Sequence, residues 1–192
     1  MTRSPGTVLR IALLLLLALV LQLSAVGQIG LFGGHVDLVP LVVAAIAYYG
    51  GSVAGAASGF AMGFLLDLAV GGTMGASSLV LTAVAYGVGR FRELRDPAHE
   101  LLPIPVGAAA TAGWVTAFAA VSFMLDVGAT VSPIVIREMI VTVLLNALLA
   151  LPVFAGCRRV LRPSLVVDPS EVRRRRQPPR ETGPLGLRGL EV

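Results

Sequence analysis

Three observations predict an all-α fold, a polytopic membrane bundle of six transmembrane helices. The 192-residue chain is 56% hydrophobic and 14% charged, with a mean hydropathy of +0.85. Soluble domains carry about one quarter charged residues, so the composition belongs to a membrane class. Six apolar stretches follow one another with only short connections between them. The basic residues, all arginine, sit at the ends of those stretches. This clustering gives the net charge of +4 the look of a topology signal, and it excludes a nucleic-acid footprint. A single cysteine, Cys157, excludes an intrachain disulfide and a cysteine metal cluster.

The first span is predicted over Val8–Val26, centred on the Leu13–Leu17 run. It has a basic start, and Ala25-Val26-Gly27 loosely resembles a cleavage site. The apolar run from Ile11 to Val26 exceeds a usual signal core, so the span is expected to be retained. The second span is Leu38–Tyr49, with a start as early as Leu31 left open, and the third is Gly51–Val70. One helix from Leu38 to Leu66 would run ~43 Å at ~1.5 Å per residue, too long for the bilayer without strong tilt. Gly50, Gly51 and Ser52 offer a turn there. The fourth span is Gly75–Val88, the fifth Leu101–Leu125 and the sixth Ile134–Val160. The second and fourth are short, which suits helices that thin the bilayer or are shielded inside the bundle.

Charge settles the count in favour of six. Arg3 and Arg10 precede the first span; Arg90, Arg92 and Arg95 follow the fourth; Arg158, Arg159, Arg162 and Arg173–Arg176 follow the sixth. With six spans all three clusters fall on one side, which the positive-inside rule makes cytoplasmic, so both termini are expected inside. Fusing the second and third spans into one, for five in all, would put the Arg90 cluster and the C-terminal tail on opposite sides. Asp96-Pro97 and Ser132-Pro133 read as helix starts, a cap followed by proline at the first helical position. The bundle is expected to occupy residues 1–162. Residues 163–192, rich in Pro, Arg and Gly without periodicity, are expected to form a disordered cytoplasmic tail.

The most informative pattern is a row at four-residue spacing: Gly51, Gly55, Gly59, Gly63, Asp67, Gly71, Gly75. A step of four advances ~400° on a helix, so the row lies on one face. That face lacks side chains and lets another helix approach closely. Asp67 interrupts it with a carboxylate, which inside a membrane segment is a functional-site candidate. Two readings stay open: a helix-end carboxylate bonded to the following turn, such as Thr73 or neighbouring backbone, or a group that holds a partner helix. Arg137, beside Glu138 near the outer face, can reach for Asp67 or snorkel to headgroups. Asn146, midway along the sixth span, is suited to an interhelical hydrogen bond, and Pro152 to a kink. His35 and His99 fall on opposite sides and cannot share a metal. Ser77, Ser78 and Thr82 have no visible His–Asp partner, and no metalloprotease, phosphate-loop or dinucleotide fingerprint occurs. Trp114 and Tyr48–Tyr49 read as packing or interface residues. Arg173–Arg176 reads first as a topology determinant, with contact to anionic lipid as the other reading.

The stretch Gly59-Phe60-Ala61-Met62-Gly63-Phe64-Leu65-Leu66-Asp67-Leu68, with Gly71, Gly75, Leu79, Leu81 and Tyr86-Gly87-Val88-Gly89, resembles the rod shape-determining protein MreD family. His35-Val36-Asp37-Leu38-Val39-Pro40 resembles that family's "PDL" approach to the second span, with different leading residues. Leu144–Pro152 with Arg158-Arg159 is similar to its last span and basic exit. The resemblance covers residues 8–162 and leaves the tail out. It implies a bacterial plasma-membrane protein of the cell-elongation machinery with no enzymatic activity and no cofactor. Its implied partners are a bitopic MreC-type protein and, indirectly, the MreB filament and the wall-synthesising transpeptidase and glycosyltransferase. It also implies a fold similar to the substrate-binding components of energy-coupling-factor vitamin transporters. Gly59, Gly63, Asp67 and Asn146 are the positions it singles out, for helix docking and folding. The expected function is a non-catalytic membrane scaffold that docks partner helices along the glycine row. The alternative is a vitamin-binding transporter component using His35, Asp37, Asp67, Arg137 and Glu138. An intramembrane enzyme built on Asp67 with Glu138 or Asp126 is disfavoured, because acid–base chemistry needs its groups at one site. The oligomeric state is not legible.

Overall fold

A thirteen-residue helix buried on every side organises the molecule. The structure is a computed structural model that describes residues 5–24, 30–31, 33–71, 74–94, 102–125 and 132–165. Six helices occur among the described residues: α1 (Pro5–Ser24), α2 (Leu38–Gly50), α3 (Ser52–Val70), α4 (Ala76–Leu94), α5 (Pro103–Leu125) and α6 (Pro133–Leu165). Between α1 and α2 lies a two-stranded antiparallel ladder, β1 (Gly30–Leu31) and β2 (Gly34–His35), with Gly30 opposite His35. Among the described residues four helices are long and apolar enough to cross a membrane: Pro5–Ser24, Ser52–Val70, Pro103–Met124 and Pro133–Arg162.

The short second helix is the axis. All ten residues from Val39 to Tyr48 are buried, and α1, α3, α4, α5 and α6 each pack on it. At ~1.5 Å per residue it is about 20 Å long, less than the ~30 Å hydrocarbon layer. Wrapped by its neighbours, it has no lipid-facing side to match to that layer. Ala44, Ala45 and Ala47 let those neighbours come close, while Leu41 and Ile46 fill the space between them together with Met62, Leu81 and Phe154.

α2 and α3 are separate helices. Gly51 divides them with φ +88°, a backbone that L side chains rarely adopt. α4 runs six residues beyond the predicted Val88, because Arg90, Arg92 and Glu93 mark the end of the apolar stretch without ending the helix. α6 likewise continues through Pro163 to Leu165, past the boundary expected at residue 162. It is helical through Pro152 as well. Ser132 starts α6 as predicted: its hydroxyl accepts from the Ile134 N–H (3.3 Å). The predicted start at Asp96-Pro97 lies outside the described residues, as do Arg3, Thr73, Arg95, His99, Asp126 and residues 166–192 of the expected tail; α5 begins at Pro103.

The glycine row requires a correction. Gly51, Gly71 and Gly75 are not on the helix face: all three have positive φ and form the turns that bound α3. The part of the row inside α3 is Gly55, Gly59, Gly63 and Asp67, all buried. It is not an open groove either, because α4 of the same chain fills it. A Cβ at Gly59 would lie 2.5 Å from the Leu81 carbonyl oxygen, and one at Gly63 2.3 Å from the Ser78 Cα. At Gly55 it would meet Ala47 of α2 and the Ala85 carbonyl, and a Cβ on Gly89 of α4 would lie 2.5 Å from the Ser52 Cα. The contacts step down α3 as they step up α4, in turns of three or four. The two helices therefore form an antiparallel hairpin packed backbone to backbone.

Candidate functional site: the glycine hairpin and a polar hub

Each helix of the hairpin has its N-terminus closed by a carboxylate from the far end of the other. The first N–H groups of a helix lack intrahelical partners and carry the positive end of its dipole. At the start of α4, the Gly75 N–H donates to Asp67 Oδ2 (2.8 Å) and the Ser77 N–H to Asp67 Oδ1 (3.2 Å). The Ser78 hydroxyl lies 3.5 Å from Oδ2. At the start of α3, the Ser52 N–H and hydroxyl both donate to Glu93 Oε1, each at 2.8 Å. Those two bonds, the backbone one foremost, hold the Glu93 carboxyl below the usual carboxylate range. Of the two readings open for Asp67, the helix-end carboxylate bonded to the following turn matches this geometry. Arg137 is exposed on α6, and no ion pair joins it to Asp67.

A second set of polar groups converges where the chain enters α2. Asn146, at 0% exposure in α6, brackets the Asp37 backbone: its Oδ1 accepts from the Asp37 N–H (3.0 Å) and its Nδ2 donates to the Asp37 carbonyl (2.8 Å). The same Nδ2 donates to the Thr111 hydroxyl of α5 (3.1 Å). Gln22, near the end of α1, donates to Asp37 Oδ1 (2.9 Å) and accepts from the Leu38 N–H (2.8 Å), capping α2 from outside. The Trp114 indole N–H donates to Asp37 Oδ2 (3.3 Å), and the Thr142 hydroxyl accepts from the His35 N–H (3.1 Å). Burial pushes the Asp37 carboxyl, in the connection preceding α2, above its usual range against the lowering effect of Trp114, His35 and Gln22. One short segment thereby ties α1, α2, α5 and α6 together. Gly107, whose Cβ would stand 2.6 Å from that of Ala150, lets α5 and α6 close one turn away. At its other end α2 is held by Arg92, which donates to the Tyr49 carbonyl (3.4 Å) and lies 5.8 Å over the Tyr48 ring.

The predicted residues thus divide. Gly55, Gly59, Gly63 and Asp67 come together against α4, Asn146 belongs to the hub, Gly51, Gly71 and Gly75 are turn residues, and Arg137 stands apart. Sequence reasoning missed Gln22, Glu93, Thr111 and Thr142. Gln22 carried the clearest signal, a lone amide in the apolar run of α1 from Ile11 to Leu23. The polar set considered for a vitamin pocket is divided: His35 and Asp37 meet at the hub, Asp67 is engaged in the hairpin, and Arg137 is exposed. Among the described residues no buried side-chain nitrogen or oxygen lacks a hydrogen-bond partner: Asp67 and Asn146 join helices, while Ser58, Thr82 and Thr111 also bond back to carbonyls of their own helices.

The model of the family described as rod shape-determining protein MreD matches residues 2–160. No curated protein and no solved structure matches the chain. With the greater part of its length matched and four helices able to cross a membrane, the chain belongs to the MreD family of bacterial rod shape-determining membrane proteins.

Proposed function

We propose that this protein is a non-catalytic membrane scaffold of the cell-elongation machinery, docking the transmembrane helix of a bitopic MreC-type partner. Through that partner it would act indirectly on the MreB filament and on the wall-synthesising transpeptidase and glycosyltransferase. The reading includes six crossings with both termini cytoplasmic, α2 and α4 crossing as parts of the bundle, and an architecture like that of energy-coupling-factor substrate-binding components. The observation that carries it is the family match joined to the use of the buried polar groups: Asp67 and Asn146 bind backbone of a neighbouring segment, and the Asp37 carboxyl accepts from the Gln22 and Trp114 side chains. Because α4 fills the glycine row, that row shapes the scaffold, and docking falls to its lipid-facing surface. Conditional depletion in a rod-shaped bacterium, with affinity purification of the tagged chain, tests the reading. Loss of cylindrical shape and recovery of the MreC-type protein are expected. Unchanged shape together with no recovered partner would refute it.

A further inference from the structure

α6 carries a stripe that changes character along its length. Leu151, Ala155, Arg158 and Arg162 recur at steps of four, three and four, which places them on one helical face. With Phe154, Arg159, Tyr49 at the end of α2 and Pro103 at the start of α5, they line a pocket of about 540 Å³. Along α6 the lining passes from apolar, at Leu151, Phe154 and Ala155, to three guanidinium groups, at Arg158, Arg159 and Arg162. From Leu151 to Arg158 the helix rises ~10 Å, the distance from the upper acyl region to the phosphate level of a bilayer. α6 is apolar enough to span the membrane from Pro133 to Arg162, so the arginines stand where it emerges. No carboxylate among the described residues pairs with any of the three. Arg92, the other guanidinium near Tyr49, is already engaged with α2.

We propose that this pocket binds an anionic glycerophospholipid, its phosphodiester against Arg158, Arg159 and Arg162 and an acyl chain along Leu151, Phe154 and Ala155. Arginine forks match phosphate oxygens bidentately, and basic pockets between helices at the membrane surface suit such headgroups. A free phosphate would use only the arginines, and an acidic protein segment would have no use for the apolar floor. The proposal needs only the membrane-spanning character of α6 and is independent of the shape-machinery reading.

Native mass spectrometry of the full chain in mild detergent tests it, with phosphatidylglycerol, phosphatidylcholine of the same acyl chains, and inorganic phosphate as probes. Phosphatidylglycerol should be retained at least about tenfold better than phosphatidylcholine, and the double variant Arg158→Gln/Arg162→Gln should lower that retention about thirtyfold. Ala155→Trp, which fills the floor and keeps every charge, should weaken retention severalfold; it decides alone if the double variant is unfolded. Replacing Arg173–Arg176 with glutamine should change nothing. Equal retention of the two lipids, displacement of the lipid by inorganic phosphate, unaltered retention in Ala155→Trp, or dependence on Arg173–Arg176 would each overturn the proposal.

Discussion

Gly63 is where a single methyl group decides the most. An added Cβ there meets the Ser78 Cα and N at 2.3 and 2.4 Å, backbone that cannot swing aside. Gly63→Ala should therefore destabilise the bundle by about 1–3 kcal/mol, the usual cost of overpacking. Gly87 lies in the same hairpin with open space around its Cβ position. There alanine should be neutral or stabilise by up to ~1 kcal/mol through helix propensity. Apparent melting temperatures in detergent check the contrast. Asn146→Leu is predicted to cost about 1–3 kcal/mol, because it strands the Asp37 N–H and carbonyl inside the bundle. Asn146 was legible in the sequence because an amide midway along an apolar span must find a partner. Gln22 gave the same signal close to a helix end, where solvent is the ordinary partner, and its target, the start of α2, is set by tertiary structure.

At the scale of elements, the hairpin depends on two carboxylates far apart. Asp67→Asn and Glu93→Gln each remove the charge facing a helix N-terminus while nearly keeping shape. Asp67→Asn should cost about 0.3–1 kcal/mol, Glu93→Gln should destabilise in the same direction, and the double variant should show the sum, since the sites lie at opposite ends of the hairpin. Amide exchange should rise around Gly75–Ser77 in the first variant and around Ser52 in the second, with little cross-effect. The four-residue period made the smooth face of α3 visible, but a period does not say which helix rests on it. Gly51, Gly71 and Gly75 share the four-residue spacing without lying on the helix; only φ distinguishes a turn glycine from a face glycine. The complementary signal was present in α4, where Ser78, Ala85 and Gly89 offer small groups at matching steps.

For the whole molecule, the six helices among the described residues and their order were legible because hydrophobicity tracks each segment directly, and four of them are apolar enough to cross a membrane. The reason α2 is short was not, since burial on all sides by five helices is a property of the assembled bundle. The proposed orientation puts the ends of α4 on opposite sides of the membrane. In a Cys157→Ala background, an impermeant thiol reagent on intact cells should label Met74→Cys and spare Leu94→Cys, both positions being exposed; the reverse pattern would invert the topology.

On the proposed function, the buried polar residues act by joining helices. The most direct measurement is rescue of rod shape in depleted cells by Asp37→Asn, Asp67→Asn and Asn146→Leu, each normalised to the amount of folded protein in the membrane. Rescue should follow folded amount for all three variants, so that partial folding gives proportionate rescue. A variant that is abundant, folded and still unable to restore shape would contradict the account.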